Sequence, residues 1–271
     1  MSRATFVEVE GRRTRVRVDG DPDRPPVLLV HGIGRSLEDW APQYERLAQD
    51  HRVIALDVPG FGFSERPREA ISLAAFARGV ADTLDSLGGA VGQRLLAQQP
   101  DRVASLALIN SAGFGSEVTL LLRMLAMPVI GPLSTRRTTR ASATFLERII
   151  FADRSLATKE RVDHALAISR RPDTGAVMLE TAVELATGRG VKPQWRRELA
   201  SAVAGDPRPT LIMWGTHDRV LPAHHIDEAR RVYPHAEVHL LSGVGHMPQI
   251  ECPQRFADLL LPFLARAGAC S

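Results

Sequence analysis

The sequence predicts an α/β fold, a mostly parallel sheet flanked by helices and carrying a helical insertion. Three observations predict it. Two apolar runs, VLLVHGIG at 27–34 and RVIALDVPGFGFS at 52–64, end abruptly in glycines, as strands buried on both faces do. The stretch between them, 40–48, has apolar residues at helical spacing, and strand, helix, strand with short links means parallel pairing through a right-handed crossover. Between residues 113 and 206 the pattern turns to helix alone: VTLLLRMLA, SATFLERIIFA and GAVMLETAVELA place apolar residues three and four apart, separated by prolines and glycines.

In chain order, 5–10 and 14–18 alternate apolar and polar residues on either side of Gly11, which predicts an antiparallel hairpin of edge strands. The turn-forming DGDPDRPP leads into the first buried strand. After the second, SLAAFARGVADTLD at 72–85 reads as helix. PTLIMWGTHDRVLP at 209–222 and AEVHLLSGVGH at 236–246 each run from an apolar strand into a polar loop.

Composition narrows the function classes. A chain of 271 residues, 44% hydrophobic and 24% charged, has room for one large core or a core with an insertion. The net charge of +3 is small and the arginines are interspersed with acids, so nucleic acid is not implied; Arg136, Arg137 and Arg140 read as a solvated face. Cys252 and Cys270 are too few for a disulfide scaffold, and no apolar stretch has the length of a membrane span. The expectation is a soluble cytoplasmic protein.

The two glycine-rich exits lie at the carboxyl ends of parallel strands, where open α/β sheets place ligands. HGIG at 31–34 lets the backbone approach a bound oxygen and offers the Ile33 amide as a donor, the chemistry of an oxyanion hole. A plain tight turn built on His31 and its glycines is the alternative. Asp218 and His246 follow apolar strands, which places a carboxylate and an imidazole at the same sheet edge. There the imidazole can take a serine's proton while the carboxylate fixes its tautomer. A turn or N-cap aspartate and a surface-loop histidine are the plain alternatives. The remaining histidines show no metal-ligand spacing; His224 and His225, adjacent at a helix start, are expected to point apart into solvent.

The order HGxG, then D-x-P-G-x-G-x-S, then Asp218, then His246 resembles the α/β-hydrolase family, in the branch of esterases and C–C bond hydrolases. That resemblance implies a core of residues 1–112 and 206–271 with a helical cap at 113–205. It implies a triad of Ser86, Asp218 and His246, with the amides of Ile33 and Leu87 as the oxyanion hole. The substrate would be a small apolar ester or related acyl compound, with no metal and no organic cofactor.

The sequence departs from the family pattern at one place. Ser86-Leu87-Gly88-Gly89 is the second half of a nucleophile elbow, but Leu84 stands where G-x-S-x-G needs its first glycine, and helix precedes the serine where a strand is required. Roughly ten to fifteen residues, one short strand and its turn, are missing relative to that pattern. This leaves two hypotheses. One is a serine hydrolase with its elbow rebuilt at Ser86, and the other is a catalytically impaired hydrolase-like fold that binds a ligand in its cap. An aspartate nucleophile at Asp85 would put Leu87 where the elbow needs glycine, and is disfavoured.

Overall fold

The computed structural model describes residues 3–87, 103–135, 137–205 and 207–268. It divides into two compact units, residues 1–106 with 252–271 and residues 107–251.

In the first unit β1 (Thr5–Val9) and β2 (Arg12–Asp19) form the expected hairpin. Its turn residues Glu10 and Gly11 both take positive φ, 50° and 66°, which suits the right-handed twist of the flanking strands. Only β1 is an edge. The sheet order is β1-β2-β4-β3, with β3 at Pro26–Val30 and β4 at Arg52–Leu56. β2 therefore sits inside the sheet, antiparallel to β4 with Val16 opposite Leu56, which corrects the expectation of two edge strands. Alternation alone could not separate these positions, because a strand may pair on both edges while one face stays wet.

β3 and β4 run parallel, as the glycine-terminated runs predict. The crossover between them is a 3-10 segment, Leu37–Gln43, and one α-turn, Tyr44–Leu47, with Tyr44 and Leu47 buried. The helix Leu73–Leu87 follows.

The second unit holds the sheet β5-β8-β9, at Leu106–Ile109, Thr210–Gly215 and Glu237–Leu241. All six residues of β8 are buried, as befits its central place, and β8 and β9 are parallel. Between β5 and β8 come the helices Leu120–Leu125, Ile130–Thr135, Arg140–Ile150, Lys159–Ser169, Thr174–Leu185 and Pro193–Gly205. Helix Arg140–Ile150 begins at a capping box between Thr139 and Ser142 and helix Lys159–Ser169 at Thr158. Ala143, Val162 and Leu166 form the buried seam between these two helices. Full burial of a residue such as Leu166 contributes about 1.5–3 kcal/mol.

This segment is not purely helical. β6 (Ala186–Thr187) and β7 (Gly190–Val191) form a small antiparallel ribbon, a correction to the all-helix expectation. The ribbon is a separate two-stranded sheet and adds nothing to β5-β8-β9.

β3 ends the first sheet and β5 ends the second. No helix among the described residues is long and apolar enough to cross a membrane.

Candidate active site

In the second unit, the exits of β8 and β9 converge on Asp218. Gly215 closes β8 so tightly that a Cβ there would lie 2.1 Å from the Gly245 carbonyl oxygen and 2.4 Å from that of Val244. Only glycine allows the two loops this approach. The His217 N–H donates to Val244 O at 2.8 Å, and the Thr216 N–H to Leu241 O at 3.0 Å.

Four donors then fix the Asp218 carboxylate, whose side chain is wholly buried. Its Oδ1 accepts the backbone N–H groups of Val220 (2.7 Å) and Leu221 (2.9 Å), while Oδ2 accepts Asn110 Nδ2 (2.8 Å) and His246 Nδ1 (2.8 Å). Because a carboxylate oxygen only accepts here, the His246 proton sits on Nδ1 and Nε2 presents its lone pair. The ring is 21% exposed, and Nε2 makes no hydrogen bond among the described residues. Asp218 and His246 are thus brought together as the sequence predicts.

Two further residues build this corner. Asn110, buried at the end of β5 with φ 42°, donates from Nδ2 to both Asp218 and the Gly245 carbonyl (2.9 Å), and its Oδ1 accepts the Gly215 N–H at 3.0 Å. Three of its four side-chain hydrogen-bonding positions are filled, so it ties β5, β8 and the loop after β9 at one point. Glu251 brackets the histidine: its Oε1 accepts the N–H groups of Gly245 (3.0 Å) and Met247 (3.2 Å), and its Oε2 accepts Ala152 N–H (2.8 Å). The His246 N–H itself donates to Ile150 O at 2.8 Å. The end of helix Arg140–Ile150 therefore fastens the histidine loop from the insertion side. The sequence reading missed both residues, although an asparagine ending a buried strand and a glutamate five residues after a candidate base are the signals that were there to use.

In the first unit, His31 is wholly buried. Its Nδ1 donates to Gly32 O at 2.7 Å and its Nε2 accepts the Val58 N–H at 2.9 Å, so the ring pins one glycine-rich exit to the other. Asp57 accepts the N–H groups of Leu37 and Phe63, each at 2.8 Å, and Arg15 Nη1 at 3.3 Å. Gly62, at φ 53°, would place a Cβ 2.2 Å from that carboxyl group. These contacts shape the turn bearing Ile33, which is 42% exposed and whose N–H takes no partner among the described residues. An unclaimed amide of this kind is what an oxyanion hole needs.

Ser86 and Leu87 fall in the last turn of helix Leu73–Leu87. Helical geometry aims the N–H of each such residue at the carbonyl four residues back, Thr83 in the case of Leu87. Their side chains, like Gly88 and Gly89, lie outside the described part of the chain.

His224 and His225 do not point apart, contrary to expectation. Their ring centroids are 5.0 Å apart at 87°, and both Nε2 atoms face Glu117 Oε2. His225 is buried, and burial pushes its pKa down, with the charge of His224 adding to the effect. The reason is tertiary: Trp214 stacks edge-on against the His225 ring, and Gly115 leaves the space that the ring fills.

A mostly parallel sheet with an aspartate and a histidine hydrogen-bonded at the exits of its last two strands, and helices inserted ahead of them, defines an α/β hydrolase. The sequence model described as the alpha/beta hydrolase fold matches residues 25–253, and the chain belongs to that family. It is 31% identical to the dihydrolipoyllysine-residue acetyltransferase component of the acetoin cleaving system of Pseudomonas putida, over 96% of this chain and 68% of that protein. It is 30% identical to 2-hydroxymuconate semialdehyde hydrolase of Pseudomonas sp. strain CF600, over 91% of this chain and 89% of that one. Among solved structures, a meta-cleavage product hydrolase from Pseudomonas fluorescens IP01 superposes with a TM-score of 0.79 at 24% identity, covering 97% of this chain and 98% of that chain.

Proposed function

We propose that this chain is a hydrolase of the Ser-His-Asp type that cleaves an ester or related acyl bond of a small apolar substrate. The observation that carries the reading is the 2.8 Å hydrogen bond from His246 Nδ1 to a carboxylate immobilised by three other donors. An imidazole so held offers Nε2 as general base to a serine hydroxyl and returns the proton to the leaving group, while the carboxylate stabilises the imidazolium. Ser86 is the nucleophile in this reading, and the amides of Ile33 and Leu87 receive the oxyanion. Residues 113–205 act as the cap, whose downward-facing apolar side chains would line the acyl pocket. Relatives named as hydrolases and as an acetyltransferase component support acyl or related cleavage.

One observation favours a second reading. The backbone at Ser86 and Leu87 is helical and does not take the strained strand-to-helix geometry of an elbow. In that case the chain binds its ligand with little turnover. Losing one oxyanion donor alone costs on the order of 100- to 1000-fold.

Hydrolysis of a short p-nitrophenyl ester separates the two. The chain itself, Ser86→Ala, and a version with a short β segment ending in Gly-x-Ser inserted before Leu87 are compared. Brisk turnover that Ser86→Ala abolishes supports the rebuilt elbow. Equal, feeble rates for the first two with an active third support the impaired form, and inactivity of all three sinks the hydrolase assignment.

A further inference from the structure

We propose that Glu117, His224 and His225 form a binding site for a divalent transition ion of the zinc type. The donor set is two imidazole nitrogens and one carboxylate oxygen, all within 4.8 Å of one another. Three protein ligands with a fourth position open to water is a familiar zinc arrangement. Around a tetrahedral ion with bonds of about 2.0–2.1 Å the ligand atoms stand roughly 3.3 Å apart. His225 Nε2 already lies 3.5 Å from Glu117 Oε2, and His224 Nε2 is hydrogen-bonded to the same oxygen. Small rotations of the two exposed side chains, Glu117 and His224, therefore complete the geometry around a fixed His225.

His225 supplies the independent observation. Its side chain is 4% exposed, and its Nε2 is buried with no hydrogen-bond partner. A buried polar atom without a partner is costly and uncommon. This atom is aimed at Glu117, and the surroundings are cut to hold it there. A Cβ on Gly115 would lie 1.9 Å from Nε2, and Trp214 packs edge-on to the ring at 6.1 Å. A metal ion would satisfy the orphaned nitrogen, with each imidazole carrying its proton on Nδ1.

Local charge runs both ways. The positive end of helix His225–Val232 opposes a cation, and so does Arg196, which is bonded to the Gly113 carbonyl. Against them stand Glu117 itself and Asp227 and Glu228 in the first turn of that helix. Ligation by three donors outweighs a helix dipole, which acts weakly on exposed charges.

An ion here would act as a clamp. Glu117 lies on the stem that leads from β5 into the insertion, two residues before Thr119, whose N–H donates to Val220 O at 3.2 Å. His224 and His225 begin the helix that follows the Asp218 loop. The ion would fasten the stem to that loop from outside the Asp218–His246 pair, so its binding can be read without any turnover.

The test is calorimetric titration of the full chain with zinc chloride, after chelator treatment and without a polyhistidine tag. One site per chain with a Kd of about 1 µM or tighter is expected. His224→Ala and Glu117→Gln, both at exposed side chains, should each weaken binding by at least about tenfold to 100-fold. Cobalt(II) should show the visible bands of a four-coordinate ion in the natural chain and lose them in both variants. Absence of binding at about 100 µM zinc, or affinity unchanged in either variant, overturns the proposal.

Discussion

Two histidine–aspartate pairs among the described residues differ in what the backbone leaves unused. In the first unit His31 Nε2 lies 3.9 Å from Asp57 Oδ1, and both ring nitrogens are engaged by backbone groups. In the second unit His246 spends only Nδ1, on Asp218 at 2.8 Å, and its ring edge with Nε2 is part exposed. The same two residue types therefore hold loops together in one place and present a base in the other. What separates them is the supply of nearby N–H and C=O groups, since a histidine saturated by backbone has no lone pair left for a proton.

The largest effect that can break this contrast is on turnover. Asp218→Asn offers His246 an amide in place of a carboxylate and loses the tautomer control. The kcat of whichever version hydrolyses the ester, natural or strand-restored, should drop about 10⁴-fold while the fold persists. Asp57→Asn should act mainly on stability, lowering it by about 1–3 kcal/mol in urea unfolding. Equal losses of kcat in the two variants would erase the distinction.

Next in size is Asn110→Ala. It strips the Gly215 N–H, the Gly245 carbonyl and Asp218 of one partner each in a buried setting. Urea unfolding should show a loss of about 2–4 kcal/mol, and turnover should fall as well, because the carboxylate loses a restraint. A midpoint within error of the natural protein would mean that the corner is held by its loops alone. The smallest effect belongs to His31→Gln, which retains a side-chain acceptor for Val58 with poorer geometry. A loss of about 1 kcal/mol is expected, and a drop in kcat far smaller than that of Asp218→Asn. A drop as large as that one would move His31 from scaffold to chemistry.

Asp218 and His246 were legible in the sequence because each follows an apolar strand directly, and parallel strands deliver their exits to one edge. Asn110 was not, since its partners are 108 and 135 residues away and no local pattern joins them. Glu251 was hidden for a related reason: one of its acceptor contacts is to Ala152, 99 residues earlier. The convergence of His224 and His225 on Glu117 ran against the local expectation that adjacent helical residues diverge. Packing against Trp214 and the space at Gly115 overrode it. The ribbon at Ala186–Thr187 and Gly190–Val191 was missed because strands of two residues carry no periodicity to read.

The sequence by itself determined most of the described strands and helices, the parallel pairing of β3 and β4, and the irregularity at Ser86, because hydrophobic periodicity and glycine placement act over a few neighbouring residues. The tertiary structure decided which histidine keeps a free nitrogen, which asparagine and glutamate hold the candidate base, and that two adjacent imidazoles face one carboxylate. Those outcomes depend on hydrogen-bond partners and packing contacts brought together from about 100 residues apart, by chain folding that no local pattern encodes.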